Sequence, residues 1–199
     1  MSAKVVKIRD ASERSETWSD EAVAVACSTG DGAAVAELFD RYQEPVARFL
    51  SRMIGPSEDV EDLTQATFLE IARGAARFEG RSAVRTWIFG IAANVARHHL
   101  RSLARRGRLS RAIAFFSSDQ ATTTRGTSVV AETRQTLRRI SQAMEKLPVE
   151  QREAFVMCEL EGLSAREAAQ ALGASEAVVW KRVSRARKAL RKVASEEAS

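Results

Sequence analysis

The chain of 199 residues has only two cysteines and two histidines, and both shortages argue against particular kinds of site. Its two cysteines, Cys27 and Cys158, are far apart and form no Cys-x-x-Cys pair, which argues against a disulfide framework or a zinc cluster. Its two histidines, His98 and His99, are adjacent, so on a helix they diverge by about 100° and cannot hold one metal ion together. We therefore expect no metal site and no cofactor.

Long apolar runs and catalytic constellations are also missing. No apolar run approaches the roughly 20 residues needed to cross a bilayer, and the first residues lack the apolar core of a secretion signal. There is no phosphate-binding glycine loop and no nucleophile with a plausible base, and the carboxylates cluster at helix starts. These absences predict a cytoplasmic protein that neither inserts into a membrane nor acts as an enzyme.

Apolar residues recur at spacings of three and four, and only three prolines interrupt them, which predicts an all-α protein. Helices are expected to begin at Asp31 and near Asp59, with a break at Gly55 between them. The helix from Asp59 is expected to bury Val60, Leu63, Thr67 and Ile71. In the second domain the first helix is marked by Leu137, Ile140, Met144 and Leu147, and the core is expected to continue with Phe155, Val156 and Leu160. Residues 107–131 are polar and aperiodic, which is typical of a flexible linker. We therefore expect two small helical domains, at 18–106 and 132–195, and an N-terminal extension at 1–17.

The net charge of +5 is distributed unevenly. From Arg97 to Arg111 there are six arginines, two histidines and no acid, and from Lys181 to Lys192 there are seven basic residues and no acid. Two separate basic patches fit a polyanion that is contacted at two places. Two solvated helix faces without a ligand are the plainer alternative.

The second domain carries the pattern of a helix-turn-helix. Ser164 and Glu167 form a capping box that starts a short helix, Gly173 ends it, and a longer basic helix begins at Glu176. In this last helix the expected buried stripe is Val179, Val183, Ala186, Leu190 and Val193. Its basic face is then exposed and can enter a major groove, where Lys181 or Arg185 would meet guanine edges or phosphates.

Trp87, Asn94 and Arg101 follow one another at seven-residue intervals in a helical pattern, so they project from one side of the helix. An aromatic ring, an amide and a guanidinium in a row could stack on and hydrogen-bond a nucleic acid strand. Taken singly, Trp87 is better explained as an aromatic at the core edge and Asn94 as a tolerated surface amide. The buried stripe of this helix is expected to be Val84, Ile88, Ile91 and Val95.

Three acids, Asp59, Glu61 and Asp62, lie in the first turn of one predicted helix. They interact favourably with the helix dipole, but that effect does not need three carboxylates. An acidic surface for a basic protein partner explains them equally well.

Together these segments resemble an RNA polymerase sigma factor of the sigma-70 family, in the extracytoplasmic-function (ECF) group. In the first domain the resemblance rests on Gly30-Asp31, Asp59-Val-Glu-Asp-Leu-Thr-Gln65-Ala-Thr-Phe68, Phe78-Glu-Gly80 and Thr86-Trp87-Ile-Phe-Gly-Ile91-Ala-Ala-Asn94. In the second it rests on Leu147-Pro148, Gln151-Arg152-Glu153, Glu161-Gly162-Leu163-Ser164, Glu167-Ala168-Ala169, Leu172-Gly173 and Arg185-Ala186-Arg187. The order and spacing of these motifs are specific, and they cover residues 18 to 194.

The resemblance implies a region 2-like helical bundle and a region 4-like helix-turn-helix in a subunit that directs core polymerase to promoters and helps to melt the DNA. Core polymerase, through its clamp helices and flap, promoter DNA and an anti-sigma protein are the implied partners. The implied polymerase-binding residues are Asp59, Glu61, Asp62, Leu63, Gln65 and Phe68. Those implied for the minus-ten element are Arg77, Gly80, Arg81, Arg85, Trp87, Asn94, Arg97 and Arg101. Those implied for the minus-thirty-five element are Val178, Trp180, Lys181, Arg182, Ser184, Arg185 and Lys188.

The chain departs from the family pattern at two places. The recognition helix reads Ala177-Val-Val-Trp-Lys-Arg182 where the family often has Gly-Thr-Val-Lys-Ser-Arg, and His98 stands where an acid is common. The family pattern therefore does not define which bases this chain reads. Two other hypotheses stay open from the residues alone: a dimeric helix-turn-helix regulator of duplex DNA, and a first domain that serves only for docking.

Overall fold

The computed structural model describes residues 19–28, 31–75, 78, 80–114 and 142–196, and every regular element in these ranges is helical. The first part contains α1 (Asp20–Ser28), α2 (Gly32–Ile54), α3 (Asp59–Gly74) and α4 (Val84–Ala114). The second part has a helical stretch at 142–146, then α5 (Val149–Phe155), which continues as a π-helical turn (Val156–Leu160), α6 (Ala165–Leu172) and α7 (Glu176–Glu196). The all-α expectation is confirmed.

Local signals set the helix boundaries in the first domain. The Asp31 carboxylate accepts a hydrogen bond from the Ala33 backbone N–H at 2.9 Å and so caps α2. Gly55 ends α2 with φ of +84°, a conformation that favours glycine, and α3 ends at Gly74. These starts and ends agree with the sequence prediction, whereas Gly30 and residues 1–17 lie outside the described part of the chain.

The core of the first domain lies where α2 meets α3 and α4. Phe49 of α2 and Phe89 of α4 are fully buried, with their ring centroids 5.2 Å apart. Thr67 and Ile71 of α3 are buried as expected, but Val60 and Leu63 are only half-buried because they border surface grooves. This arrangement leaves the opening turns of α3 exposed.

Helix α4 is longer than the sequence predicts. It continues to Ala114, so the first eight residues of the expected linker at 107–131 are helical. The rest of that linker, together with Leu137 and Ile140 of the expected first helix of the second domain, lies outside the described residues.

The helix boundaries of the second domain agree closely with the sequence prediction. Ser164 and Glu167 form both hydrogen bonds of the capping box, and Gly173 ends α6 in the left-handed conformation with φ of +61°. On α7 the residues Val179, Val183 and Ala186 are buried and Leu190 is half-buried. Leu160 is a correction: the sequence places it in the core, but the π-helical turn leaves it exposed.

The two domains share one continuous hydrophobic core in this structure. Helix α6 packs directly on α4, so α4 is covered by its own domain and by the second domain. The stripe predicted for α4 is therefore incomplete: Val84 and Ile88 are buried, Ile91 and Val95 are half-buried, and Phe89, Ala92, Ala93 and Ala96 are buried as well. A helix with partners on two sides does not show a single apolar stripe.

Candidate functional site

The first candidate surface is an acidic groove between α2 and α3. It has a volume of about 650 Å³ and a floor that includes Phe39, Ala47 and Val60. Its acidic lining comes from Asp40, Glu44, Glu58 and Glu61. Asp59 and Asp62 are exposed nearby, so the start of α3 and one side of α2 form a continuous acidic area.

The polymerase-binding residues predicted for α3 differ in their exposure. Asp59, Glu61, Asp62 and Gln65 are exposed and Leu63 is half-buried. Phe68 is only 6% exposed and meets the ring of Phe39 edge-on, with centroids 4.8 Å apart. The phenyl ring packs α3 against α2, beneath the acidic area.

The second candidate surface is a groove of about 950 Å³ between α3 and α4. Trp87, Asn94 and Arg101, the three residues at seven-residue spacing, all line it. Its floor is apolar, and it also contains Arg73, Arg97, His98 and His99 together with Glu70. The alignment seen in the sequence therefore corresponds to one real groove with an aromatic, an amide and several cations along it.

Trp87 is half-buried and also has a structural role. Its ring packs on Phe78 with centroids 5.0 Å apart, so the tryptophan joins the α3–α4 connection to α4. Gly80 in that connection has φ of +66°, and Gly80 and Arg81 are exposed. Arg77 of the predicted minus-ten set lies outside the described residues.

Two other arginines of that set are engaged by the second domain. Arg97 donates to both carboxylate oxygens of Glu153, from Nε at 2.8 Å and from Nη2 at 2.9 Å. This hydrogen bonding raises the pKa of Arg97, and Nη1 donates to the Asn94 Oδ1 atom at 3.0 Å. Arg85 donates to the backbone carbonyl of Glu161 and lies over the Phe89 ring.

The third candidate surface is the outer face of α7. The side chains of Val178, Trp180, Lys181, Ser184, Arg185 and Lys188 are exposed, and Arg182 is half-buried. Trp180 is 56% exposed, which is unusual for an indole without a partner. All seven predicted minus-thirty-five residues thus lie on or beside one accessible helix face opposite the buried valines.

Some residues of these surfaces were missed by sequence reasoning. Asp40 and Glu44 join the acidic area from α2, but they are separated from Asp59 in sequence and are ordinary charged positions of a helix. Leu69 is 58% exposed in the α3–α4 groove, yet its periodicity gives no hint of exposure. Glu153 and Glu161 are recognisable in the sequence only as parts of family motifs, and their burial against the first domain has no sequence signal.

The described residues offer little reactive chemistry. Burial raises the pKa of the Cys27 and Cys158 thiols, so both stay protonated at neutral pH. Within the described ranges no three His, Cys, Asp or Glu side chains converge as metal ligands. Among the helices described, none is both long enough and apolar enough to span a membrane.

The fold and these surfaces define a two-domain helical protein with a C-terminal helix-turn-helix. The chain matches the family model described as Sigma-70 region 2 over residues 38–106 and the model described as Sigma-70, region 4 over residues 137–190. It is 33% identical over 175 residues to the ECF RNA polymerase sigma factor SigC of Mycobacterium tuberculosis, covering 86% of this chain and 90% of that protein. It is 34% identical over 181 residues to the ECF RNA polymerase sigma-E factor of Escherichia coli, covering 88% of this chain and 94% of that protein.

Two solved structures share the fold. CnrH in complex with the cytosolic domain of CnrY has a TM-score of 0.66 at 24% identity, over 89% of this chain and 97% of that one. RpoE of Bartonella quintana in complex with the anti-sigma factor NepR has a TM-score of 0.60 at 22% identity, over 80% of this chain and 96% of that one. The chain belongs to the sigma-70 family of RNA polymerase sigma factors, in the ECF group, whose members are transcription initiation factors and not enzymes.

Proposed function

We propose that this protein is a promoter-specificity subunit of RNA polymerase that performs no covalent chemistry. It binds core polymerase, directs it to particular promoters and helps to open the DNA. The observation that carries the proposal is the presence, on one chain of this family, of an acidic groove and two separate surfaces suited to DNA. A regulator of duplex DNA alone needs only one of these three surfaces.

Core polymerase docks on the acidic area of α2 and α3. Asp59, Glu61 and Asp62 are exposed around an apolar floor, which suits a basic helix with some apolar side chains. We assign this area to the polymerase clamp helices, with Leu63 and Gln65 at its edge. The second domain then contacts the polymerase flap.

The minus-ten element is read as separated bases by the α3–α4 connection and α4. The groove lined by Trp87, Asn94 and Arg101 offers an apolar floor for bases and cations for the phosphates. Arg81 and Gly80 lie at the entry to α4, where the strand would leave the duplex. Asn94 is the best candidate for base reading. Trp87 both lines the groove and packs on Phe78, so it contacts the strand and also supports the α3–α4 connection.

The minus-thirty-five element is read as duplex by α7. A helix with exposed Lys181, Arg185 and Lys188 fits a major groove, where arginine can bind guanine bidentately and lysine can pair with phosphates. Val178 and Trp180 near the N-terminal end of the helix would face base edges.

An anti-sigma protein holds the subunit inactive in the cytoplasm until a signal arrives. RpoE from Bartonella quintana, which shares the fold, was solved in complex with the anti-sigma factor NepR, and this supports the same kind of partner here. The competing function, a dimeric helix-turn-helix regulator, would leave the acidic area without a role.

Run-off transcription separates the two functions. Core polymerase is incubated with genomic fragments in the presence and absence of the full chain. We expect promoter-dependent transcripts only when the chain is present. Folded protein that supports no initiation from any fragment, but binds duplex DNA as a dimer, would favour the regulator instead.

A further inference from the structure

The start of α7 differs in chemistry from the rest of its exposed face. Ala177, Val178 and Trp180 are exposed, and residues 176–180 include one acid and no cation. The seven basic residues of this helix begin only at Lys181. A turn without cations is poorly suited to phosphates, so its contacts with DNA are better made to base edges.

Trp180 has the largest apolar side chain of this turn. It is 56% exposed, and Val178 is 40% exposed. Within the described part of the chain, no aromatic ring and no guanidinium packs on the indole. Because the turn continues directly into a row of cations, duplex DNA matches the whole face better than an apolar protein surface does.

Helix geometry places these apolar side chains on either side of one cation. Successive residues of a helix turn by about 100°, so Val178 and Trp180 lie on opposite sides of the exposed face, with Lys181 between them. Long side chains of a helix lean toward its N-terminus, so we expect the indole to cover the turn of Ala177. In a helix-turn-helix this is the end of the recognition helix that contacts base edges.

The backbone of this turn is held in place by its surroundings. Gly173 ends α6 in the left-handed conformation, and the Val178 N–H donates to the Ser175 hydroxyl oxygen at 3.4 Å. Val179 is fully buried in the core of the domain. A side chain on a fixed helix start can distinguish single chemical groups, because its position in the DNA groove is defined.

The base edges of the major groove carry one methyl group. Only thymine presents a methyl there, on C5, whereas the other groups that distinguish the bases are hydrogen-bond donors and acceptors. An apolar ring that covers a donor or acceptor removes its water without replacing the hydrogen bond, which costs free energy. The same ring gains free energy when it covers a methyl group.

We infer that Trp180 is a specificity residue of the minus-thirty-five surface, which selects thymine by packing its indole on the C5-methyl group. This inference rests on the proposed function of α7 in reading duplex DNA. It assigns base selection at the start of the helix to apolar contact, while Arg185 further along can bind guanine by hydrogen bonds. Lys181, between the two apolar side chains, is then positioned for a neighbouring phosphate or guanine.

The test exchanges thymine for uracil, because the two bases differ only by this methyl group. A genomic fragment that supports run-off transcription with the full chain is chosen, and nuclease protection by the holoenzyme locates its minus-thirty-five element. Each thymine of the element, on either strand, is then replaced singly by deoxyuridine. Fluorescence anisotropy gives the affinity of the holoenzyme for each labelled duplex.

Four holoenzymes are compared, which contain the wild-type chain, Trp180→Ala, Trp180→Phe and the matched control Leu160→Ala. Leu160 is 42% exposed in the same domain but lies in the π-helical turn, outside α7. Circular dichroism first establishes that each chain is folded. Because Trp180 is exposed, its replacement should leave the core of the domain intact.

We expect the wild-type holoenzyme to lose about fourfold in affinity when one particular thymine becomes uracil, the size expected for one buried methyl group. Trp180→Ala should bind the unmodified duplex at least about fourfold more weakly and should no longer respond to that exchange. Trp180→Phe, which keeps an apolar ring, should retain part of the response. Leu160→Ala should behave like the wild type.

Several results would overturn the selection of thymine and leave the proposed function intact. One is a minus-thirty-five element without thymine on either strand, or with unchanged wild-type affinity at every exchange. Another is a response that persists in Trp180→Ala, because the methyl group would then contact a different residue. A third is a loss of core polymerase binding in Trp180→Ala at unchanged response, which would place the indole on a protein surface. If no genomic fragment supports initiation with the full chain, the proposed function fails and the inference fails with it.

Discussion

Helices α4 and α7 both carry proposed DNA contacts, but they differ in what covers them. The basic face of α7 is exposed from Lys181 to Lys192, with buried Val179 and Val183 opposite. Helix α4 is covered on one side by α2 and α3 and on another by α6, and its Arg97 is paired with a buried acid of the second domain. The proposed DNA contacts of α7 are therefore exposed, whereas several of those on α4 also take part in packing the protein together.

This difference matches the two kinds of DNA reading that we assign to the domains. Duplex reading needs an exposed rigid face, which α7 provides without any rearrangement. Strand reading needs an aromatic, an amide and cations in a groove, and in α4 these groups also hold the structure together. Substitutions on the exposed face of α7 should therefore lower the affinity for duplex DNA without changing polymerase binding. Substitutions on the acidic area of the first domain should lower the affinity for core polymerase without changing duplex binding.

The largest effect is expected for Asp62→Lys on the exposed start of α3. Reversing this exposed charge of the acidic area should weaken core polymerase binding at least about 30-fold, or ~2 kcal/mol. Affinity for a minus-thirty-five duplex, measured with the same protein by anisotropy, should not fall. Polymerase binding is measured by fluorescence titration of the labelled core enzyme.

Glu70→Lys is the matched control for this charge reversal. Glu70 lies on the same helix, pairs with Arg73 at 2.8 Å and faces the other groove. Its reversal should leave polymerase binding within a factor of about two, since single exposed ion pairs contribute ~0–1 kcal/mol. Equal losses in the two variants would show that overall charge, and not the acidic area, determines docking. Phe68 is unsuited to this test because removing a buried phenyl ring costs about 3–5 kcal/mol of stability.

A smaller effect is expected for Arg185→Ala on α7. Loss of one guanidinium from the exposed face should reduce minus-thirty-five duplex affinity about tenfold, from the ~1–3 kcal/mol that a good arginine contact supplies. The variant should bind core polymerase normally. Arg48→Ala in α2 removes a similar exposed cation from the other domain and should leave duplex affinity unchanged; a comparable loss there would assign the effect to net charge.

Sequence reasoning predicted α7 better than α4 for a physical reason. On α7 one side is buried, so the spacing of Val179, Val183 and Ala186 defines the opposite face by periodicity. On α4 the two covered sides remove that periodicity. Gly90 lies against the Ala171 backbone of α6, although nothing in its local sequence marks this packing.

Packing that local sequence does not reveal also explains the differences at single residues. The family resemblance groups Phe68 with the three acids of α3, but its position on the helix turns its ring toward Phe39. The apolar pattern predicts that Leu160 continues the core, yet the π-helical turn from Val156 shifts the direction of its side chain. In contrast, caps such as Asp31 and Ser164 were predictable, because they depend only on neighbouring backbone.

The smallest effect is expected for Ser164→Ala at the capping box of α6. Losing this cap should cost about 1 kcal/mol of stability and lower the melting temperature without changing polymerase binding. Hydrogen bonds from the Ser164 hydroxyl and backbone N–H hold the pKa of Glu167 below its usual range. The carboxylate's share of the stability is therefore present above about pH 4.3 and is lost as pH falls through the lower pKa of the folded state.

Thermal melting followed by circular dichroism at pH 7 and at pH 3 checks both statements. The difference in melting temperature between wild type and Ser164→Ala should be larger at pH 7 and should narrow at pH 3. Ser184→Ala, on the exposed face of α7, should melt like the wild type at both values. A difference that widens in acid would contradict the role of the Glu167 carboxylate.

The most direct test of the central claim, that α4 reads an opened strand while α7 reads duplex, uses Asn94→Ala in the complete holoenzyme. Permanganate reactivity of unpaired thymines reports opening at the minus-ten element, and nuclease protection reports binding at the minus-thirty-five element of the same promoter fragment. We predict that the variant keeps upstream protection but loses most thymine reactivity. Loss of both signals together, or full reactivity with protection intact, would contradict the assignment.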